Sequence, residues 1–429
     1  MTQLFKDFSS TNKQEWLDLI HKELKGESPD LLHKLNPIEE IVLPSYFHRS
    51  DANISYSDPG LSPFTRGINQ HSNDWHICTR IEIDSESNAN KKALEFLMSG
   101  STALQFVASS DKAIDFELLL KDIDLAYIQT SFLGETDQQI NAFIDKTVDF
   151  PTYTNLNSFS GNKKGKNYTV FAYDVQQAGG TTWQEIAIAA AEGNEYLVEQ
   201  LDAGRTIDEA AGSIHFVFGI GTKFMYEVAK IRAFRTIWSK IVEAYKPVHL
   251  CSQAATITAM TGFTHISLKD PHTNLLRQTT QALSAVIGGV QELIIQPFDT
   301  YSTEPNSEFS QRMATNISLL LKEESYLNSV IDPAGGAYVF DELTETIAER
   351  AWTLFQEIDR VGGLTNTMIR AKLATEISIK AEQRKEQIRS KSEKLIGINI
   401  FPNPQEITAN WKELPKAWNN LPTLQLEQL

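Results

Sequence analysis

The sequence feature that most constrains the fold is an alternation, beginning near Ser101, between short apolar segments and longer amphipathic ones. The short segments are apolar or β-branched throughout, which is typical of strands in a parallel sheet that is covered on both faces. Six of them are predicted as strands: Thr102–Val107, Ala126–Phe132, Tyr168–Asp174, Ile214–Ile220, Pro247–Gln253 and Glu292–Phe298. The amphipathic segments predict helices at Trp183–Leu201, Phe224–Ala244, Asn274–Ile287 and Leu343–Val361.

This alternation predicts an α/β fold, a (β/α)8 barrel of the TIM type, and leaves an open doubly wound sheet as the competing architecture. Six strands are found rather than eight, and the turn-like stretch Thr136–Gly165 gives no clear strand. We expect three parts in the chain: an N-terminal arm at 1–59, the barrel at 60–365 and a helical tail at 366–429.

The arm combines a predicted helix with an extended segment. Trp16, Leu17 and Ile20 recur at helical spacing, and the turn-rich stretch that follows has little apolar surface of its own to bury. Ordering such a segment costs conformational entropy that only burial against another surface offsets. We therefore expect the arm to lie on the barrel or on a partner chain.

Composition excludes several classes of protein. The net charge of −16 over 429 residues disfavours nucleic acids and anionic membranes as partners, because their binding requires basic surface. Two cysteines far apart in sequence, Cys78 and Cys251, form neither a disulfide framework nor a metal-binding motif. The N-terminus lacks the apolar run of a signal peptide, and no apolar stretch reaches the length that spans a membrane. A cytoplasmic location is expected.

Motif searches do not by themselves identify a reaction. Gly219 and Gly221 follow a strand and open a helix, but Phe224 stands where a dinucleotide-binding fingerprint needs its third glycine, so a plain strand–helix turn is predicted. The histidines lack metal-ligand spacing, and no metal site is predicted. Because barrel chemistry lies at strand ends, the candidate polar residues are Asp174, Gln176, His215, Ser252, Gln253 and Gln291. The alternative is that these groups only satisfy neighbouring polar atoms.

A series of segments resembles the methylmalonyl-CoA mutase family in order and spacing. The segments are Pro63–Gly67, Asp202–Trp238, Asn274–Leu293, Gln311–Ser325 and Asp332–Gly363, and the similarity extends from about Phe5 to about Asn399. The resemblance implies a (β/α)8 barrel threaded by coenzyme A. It also implies a radical isomerisation of succinyl-CoA and (R)-methylmalonyl-CoA in propionate metabolism, with adenosylcobalamin as the radical source.

The residues that depart from the family pattern concern its active site. Tyr173 matches the family, whereas Asp174 replaces the histidine that donates to the thioester carbonyl. Arg80 stands at the position of the active-site tyrosine, and Cys251 at that of a substrate-binding histidine. Four positions are interpreted as remnants of substrate binding: Gln176, His215, Gln253 and Gln291.

These departures resemble the non-catalytic small subunit of a heterodimeric mutase, whose large subunit carries the cofactor and the chemistry. No catalytic residues and no bound cofactor are then expected in this chain alone, and no cobalamin domain is expected after Leu429. Two alternatives stay open: an active acyl-CoA mutase subunit that works with a separate cobalamin-binding protein, and a CoA-binding or scaffold protein. Aromatic strand residues further predict a filled barrel axis: Phe106, Phe132, Phe171, Phe216 and Phe218.

Overall fold

The computed structural model describes residues 12–48, 57–108, 114–133, 152–154, 168–304, 307–402, 404 and 410–427. Its helices are Lys13–Glu23, Glu86–Met98, Phe116–Leu119, Tyr173–Gln177, Thr182–Asp202, Ile207–Gly212, Phe224–Ala244, Thr273–Gly288, Ser307–Leu319, Tyr338–Arg360 and Thr367–Arg389. The arm contributes a short antiparallel pair, β1 (Lys34–Asn36) and β2 (Ile41–Leu43). In the described part of the chain, no helix is both long and apolar enough to cross a bilayer.

Eight parallel strands form the barrel, and most of them pair with the strands next to them in sequence. They are β3 (His76–Ile83), β4 (Ala103–Ala108), β5 (Gln129–Leu133), β6 (Thr152–Thr154), β7 (Tyr168–Val170), β8 (Ile214–Ile220), β9 (Ile257–Thr261) and β10 (Glu292–Ile294). The hydrogen-bonded order is β6-β5-β4-β3-β10-β9-β8-β7, so that β10 and β3 close the barrel and the seam falls between β6 and β7. The predicted (β/α)8 fold is confirmed.

Two predicted strands have wrong positions. Pro247–Gln253 is not a strand: Leu250–Gln253 is a turn of 3-10 helix, and the true strand begins later at Ile257. The apolar run was misleading because Val248 and Leu250 lie on the surface, 83% and 68% exposed. The predicted strand Tyr168–Asp174 ends at Val170, after which the chain turns into a short helix.

Two further strands were missed. The strand β3 carries Arg80 and Glu82 among its apolar residues, which obscures the continuously apolar pattern. The stretch Thr136–Gly165 was predicted to lack a strand, which is wrong at Thr152–Thr154, while the rest of that stretch lies outside the described residues. The Phe224–Ala244 helix has the predicted bounds, because its apolar residues face the barrel in every turn.

Side chains from five strands meet on the barrel axis. Cys78, Ala103, Val217, Met260 and Ile294 form one buried cluster, and each is at most 3% exposed. Residues on strands that are not neighbours, such as β3 and β8, can touch only across the interior of a barrel. Aliphatic and sulfur-containing side chains therefore pack this section of the axis.

The aromatic residues predicted to fill the axis mostly point the other way. Phe216 and Phe218 alternate with the inward Val217, and their rings pack on Phe234 with centroid separations of 4.6 and 4.7 Å. The side chains of Phe106 and Phe132 likewise lie on the outer face of the sheet, in a separate cluster with the Glu86–Met98 helix. Of the five phenylalanines, only Phe171 packs against the interior cluster. Not all five could point inward, because neighbouring residues of a strand alternate between its two faces, and in the structure four of them point outward.

The turn around Glu39 anchors the arm to the barrel. Glu39 is 3% exposed, and its Oε2 accepts hydrogen bonds from the backbone N (3.0 Å) and hydroxyl (2.7 Å) of Thr182 at a helix N-terminus. Trp183 donates its indole N–H to the Glu39 carbonyl, and Arg384 lies 3.6 Å from the carboxylate. The preceding Lys13–Glu23 helix, in contrast, contains no buried residue.

Candidate functional site at the mouth of the barrel

Functional groups of a (β/α)8 barrel are expected at the carboxyl-terminal ends of its strands, here called the mouth. The strand β7 is only three residues long, and the short helix after it brings Tyr173 and Asp174 to the mouth. Arg80, in the second half of β3, lies near them because β3 and β7 face each other across the barrel. Three of the four positions predicted to be degenerate are thus brought together.

Tyr173 is fixed by a partner that the sequence did not suggest. Its buried hydroxyl accepts a hydrogen bond of 2.9 Å from the side-chain amide of Gln296, which follows β10. The same amide donates to the carbonyl of Thr261 at the end of β9. Burial raises the pKa of the Tyr173 hydroxyl. The tyrosine therefore stays neutral and is held rigidly across the mouth.

Asp174 has no comparable support. No described residue donates a hydrogen bond to its carboxylate, and burial raises its pKa to about 6 although Arg80 lowers it. Arg80 is itself engaged, because it donates to Glu82 at 3.2 Å and to Gln105 at 3.3 Å. An ionised carboxylate accepts hydrogen bonds but cannot donate one. Asp174 could therefore not supply a hydrogen bond to an oxyanion near neutral pH.

A cavity of about 700 Å³ opens beside Arg80 and Asp174. It begins at Val107 and Leu133, the ends of β4 and β5, and extends along β7 to the Thr182–Asp202 helix. Charged and aromatic side chains contribute to its walls: Arg80, Asp174, Glu192, Glu195, Arg370, Tyr168, Phe171 and Trp418. The cavity thus lies at the seam of the barrel, where no ladder joins the described residues of β6 and β7.

Glu192 is the second carboxylate of the cavity with an unusual environment. It accepts one hydrogen bond, of 3.3 Å, from the hydroxyl of Tyr168. Burial raises its pKa to about 7, and the neighbouring Glu195 adds to this increase. The sequence predicted an amphipathic helix here, but nothing in it indicated that Glu192 would face a cavity.

The opposite side of the mouth is covered by the tail. Leu424 donates its backbone N–H to the carbonyl of Gln177 at 2.7 Å, and Leu426 donates to that of Thr264 at 3.2 Å. Glu427 is 5% exposed, and its carboxylate accepts four hydrogen bonds with donor–acceptor distances of 2.6 to 2.9 Å. The donors are the Ser267 hydroxyl, the backbone N–H groups of Leu268 and Lys269, and the Trp411 indole. The segment 424–427, called the tail strap below, closes the mouth above β7 and β9.

Gln176 lies under this strap. Its side-chain oxygen accepts a hydrogen bond from Gln177, and glycines bring the ends of β8 and β9 close to it. A Cβ atom on Gly219 would be 2.8 Å from that oxygen, so this position needs glycine. Gly219 and Gly221 thus form the predicted strand–helix turn, with Gln176 packed into it.

His215 lies inside the barrel rather than at its mouth. It is the second residue of β8, with Nε2 2.8 Å from the Thr258 hydroxyl and Nδ1 3.3 Å from the Thr169 hydroxyl. Thr258 donates onward to Glu292 at 2.9 Å, and burial raises the pKa of Glu292 to about 7. His215 is thereby part of a buried polar chain near the amino-terminal ends of the strands.

The remaining predicted positions lie at the amino-terminal end of the barrel. Gln253 precedes β9 and accepts hydrogen bonds from Ser62 (2.6 Å) and Ser239 (3.0 Å). Gln291 precedes β10 and binds backbone groups of Ile257 and Gly289. For these two residues the structural alternative, satisfaction of neighbouring polar groups, describes what their side chains do.

Cys251 and Ser252 were predicted at a strand end, and this is wrong. Cys251 is exposed on the 3-10 turn six residues before β9 begins, and Ser252 donates to Asp208 at 2.5 Å. The residues that follow β9 at the mouth are Gly262 and Phe263. Among the described residues, no group of three or more metal-ligating side chains is present.

The fold and these positions define a TIM-type barrel protein whose mouth is half closed by its own tail. The methylmalonyl-CoA mutase family model matches residues 128–429, and the chain belongs to that family. A methylmalonyl-CoA mutase small subunit from Porphyromonas gingivalis is 30% identical over 453 residues, covering 95% of this chain and 72% of the relative. A methylmalonyl-CoA mutase from Cereibacter sphaeroides is 27% identical, covering 90% of this chain and 64% of the relative. The chain thus spans about two thirds of the length of these relatives.

Proposed function

We propose that this chain is the non-catalytic small subunit of a heterodimeric methylmalonyl-CoA mutase. The large subunit would isomerise succinyl-CoA and (R)-methylmalonyl-CoA, and this chain would support its assembly in the cytoplasm. The observation that carries the proposal is Asp174, a carboxylate without a donor at the mouth of the barrel. A thioester carbonyl that gains negative charge needs donors, and loss of one such donor typically costs about 10²–10³ in rate.

The packed axis is a second argument against catalysis. Val217, Met260 and Ile294, on the neighbouring strands β8, β9 and β10, are each 1% exposed and pack in one cluster with Cys78 and Ala103 inside the barrel, where a coenzyme A chain would have to thread. The alternative of an active acyl-CoA mutase subunit with a separate cobalamin-binding protein needs this passage. The packing therefore favours the non-catalytic role.

The family normally uses adenosylcobalamin, and we assign its binding to the partner. A corrin ring needs an open face above the strand ends. The described mouth does not offer one, because residues 424–427 lie across it and hydrogen bond to the segments that follow β7 and β9. Glu427 holds this cover in place through Ser267 and Lys269. The cofactor would supply the radical on the large subunit, and no residue of this chain is given a part in that step.

The arm is the proposed interface with the large subunit. We treat 1–59, 60–365 and 366–429 as arm, barrel and tail. The turn around Glu39 ties the arm to the barrel, whereas apolar side chains before and after it remain in solvent: Leu19 (54% exposed), Leu31 (65%), Leu35 (61%) and Val42 (54%). A helix without buried residues gains little from its own barrel, so a second chain is the surface that would stabilise it.

The test is co-expression with a large mutase subunit. We expect the two chains to co-purify at a one-to-one ratio, and we expect the isolated chain to show no isomerisation of succinyl-CoA with added adenosylcobalamin. Asp174→His should not restore activity, because groups that act as a unit are not recovered singly. Turnover by this chain alone, above a no-enzyme control, would refute the non-catalytic role.

The interface is tested separately. The double substitution Leu19→Ser with Leu31→Ser removes two exposed apolar side chains and leaves the Glu39 anchor intact. We expect it to abolish co-purification without lowering the thermal midpoint of the isolated chain. Met98→Ser is the matched control, because Met98 is 89% exposed on a different element. Equal recovery of the complex with both variants would show that the arm is not the interface.

A further inference from the structure

Two carboxylates that line the cavity at the seam receive few hydrogen bonds from the described residues. Asp174 receives no hydrogen bond from the described residues, and Glu192 receives one, from Tyr168. The second oxygen of Glu192 and both oxygens of Asp174 thus have no donor in the described part of the chain. Both carboxylates are partly buried, and carboxylates removed from water are normally hydrogen-bonded, since an unpaired one is costly. The three oxygens belong to side chains that line a space of about 700 Å³.

The charges around the cavity favour a cation. The guanidinium groups of Arg80 and Arg370 face three carboxylates, those of Asp174, Glu192 and Glu195. Arg80 is already bonded to two side chains of its own sheet, and Arg370 faces both glutamates. The raised pKa values of Asp174 (about 6) and Glu192 (about 7) show that these positive charges do not offset the burial of the two carboxylates. A further positive charge would stabilise both ionised forms.

We propose that this cavity binds a small organic cation with a primary ammonium group, whose N–H donors bond to Asp174 and Glu192. An ammonium group has three donors and no acceptor, which matches the three unpaired oxygens. Tyr168, Phe171 and Trp418 supply the aromatic surface that accommodates an alkyl chain or a cation. The volume is in the range of small-molecule sites. This inference does not depend on the proposed subunit role.

The experiment is calorimetric titration of the full chain with putrescine at pH 8, where both carboxylates are ionised. Tetramethylammonium is the first comparator, because it carries a positive charge without N–H donors, and succinate is the second, because it is anionic. We expect putrescine to bind at least tenfold more tightly than either comparator. Loss of a hydrogen bond to a charged group typically weakens binding about tenfold or more.

Asp174→Asn and Glu192→Gln are two independent variants, each of which should weaken putrescine about tenfold or more. Glu199→Gln is the matched control, because Glu199 is exposed on the same helix and does not line the cavity. A thermal unfolding transition checks that each variant is folded. Unchanged affinity in both cavity variants would overturn the assignment of the two carboxylates.

The dependence on pH provides a third readout. The groups that face Asp174 and Glu192 are Arg80, Tyr168, Glu195 and Arg370. Burial also raises the pKa of Glu195, so its protonation removes negative charge in the same direction as that of the two carboxylates. Protonation of the two carboxylates should therefore weaken putrescine as the pH falls from 8 to 5.5. No saturable binding of putrescine at pH 8, or tighter binding of succinate, would overturn the proposal and would leave the co-purification result unaffected.

Discussion

The two sides of the barrel mouth differ in how their polar groups are hydrogen-bonded. Above β7 and β9, the tail strap hydrogen bonds to the segments that follow these strands, and Glu427 alone accepts four hydrogen bonds. Above β3 and β4, a cavity opens in which Asp174 has no donor among the described residues. The polar groups of the closed side are thus paired within the chain, whereas the carboxylates of the open side have few described partners.

The comparison also separates stability from function. The hydrogen bonds of the strap join groups of one chain, and Glu427, Ser267 and Leu268 are buried, so removal of the strap is expected to lower the free energy of unfolding. The carboxylates of the cavity have raised pKa values, so they are expected to lower stability at neutral pH and to be retained for another reason. Substitutions on the two sides should consequently change stability with opposite signs.

The largest effect is expected at Glu427. Glu427→Ala removes the acceptor of four hydrogen bonds and leaves the N–H group of the buried Leu268 without its acceptor. We expect the free energy of unfolding to fall by about 3–5 kcal/mol, as for other broken buried networks. Urea denaturation measures it. Glu413→Ala is the control, because Glu413 is exposed in the same tail, and an equal loss in both variants would mean that the strap contributes nothing specific.

The next effect has the opposite sign. The folded pKa of Asp174 is about 6, above its unfolded value of 3.8, so its ionisation opposes folding. The free-energy cost of ionising Asp174 in the folded protein is absent below about pH 4, grows as the pH rises from 4 to 6, and is constant above about pH 6. Asp174→Asn should therefore stabilise the protein by up to about 3 kcal/mol at pH 8 and by nothing at pH 4.

Unfolding midpoints of the wild type and of Asp174→Asn, measured from pH 4 to pH 8, test this sign. Asp202→Asn is the control, since Asp202 is exposed at the end of the Thr182–Asp202 helix. A variant that is less stable than the wild type at pH 8 would indicate that the carboxylate has a donor or a cation in solution. That outcome would weaken the contrast between the two sides of the mouth.

Long buried helices and fully buried strands could be predicted from the sequence. The Phe224–Ala244 helix and β8 have the predicted bounds because nearly every residue in them is buried. The strand β9 was missed because its inward residue Thr258 and its small Ala259 carry little apolar signal. The neighbouring exposed apolar run around Val248 was predicted as the strand instead.

The candidate site could be predicted only at positions that the family pattern covers, which include Arg80 on β3. Tyr173 and Asp174 were located through the family pattern, and the structure brings Arg80 to the same mouth. The partners of these residues come from distant parts of the chain: Gln296 follows β10, and Glu192 lies on a helix. Contacts between residues so far apart depend on how the barrel closes, and no local pattern records that.

The smallest expected effect concerns Tyr173, which lies between the two sides. Its hydroxyl accepts a hydrogen bond from Gln296, and Tyr173→Phe removes that acceptor while the ring keeps its contact with Phe263. The Gln296 amide still donates to the carbonyl of Thr261, so it is not left unpaired. We therefore expect a loss of only about 1 kcal/mol in the free energy of unfolding, and unchanged binding of putrescine. A loss as large as that of Glu427→Ala would mean that Tyr173 holds the closed side together. A loss of putrescine binding, measured by calorimetry in the folded variant, would instead place Tyr173 within the open cavity.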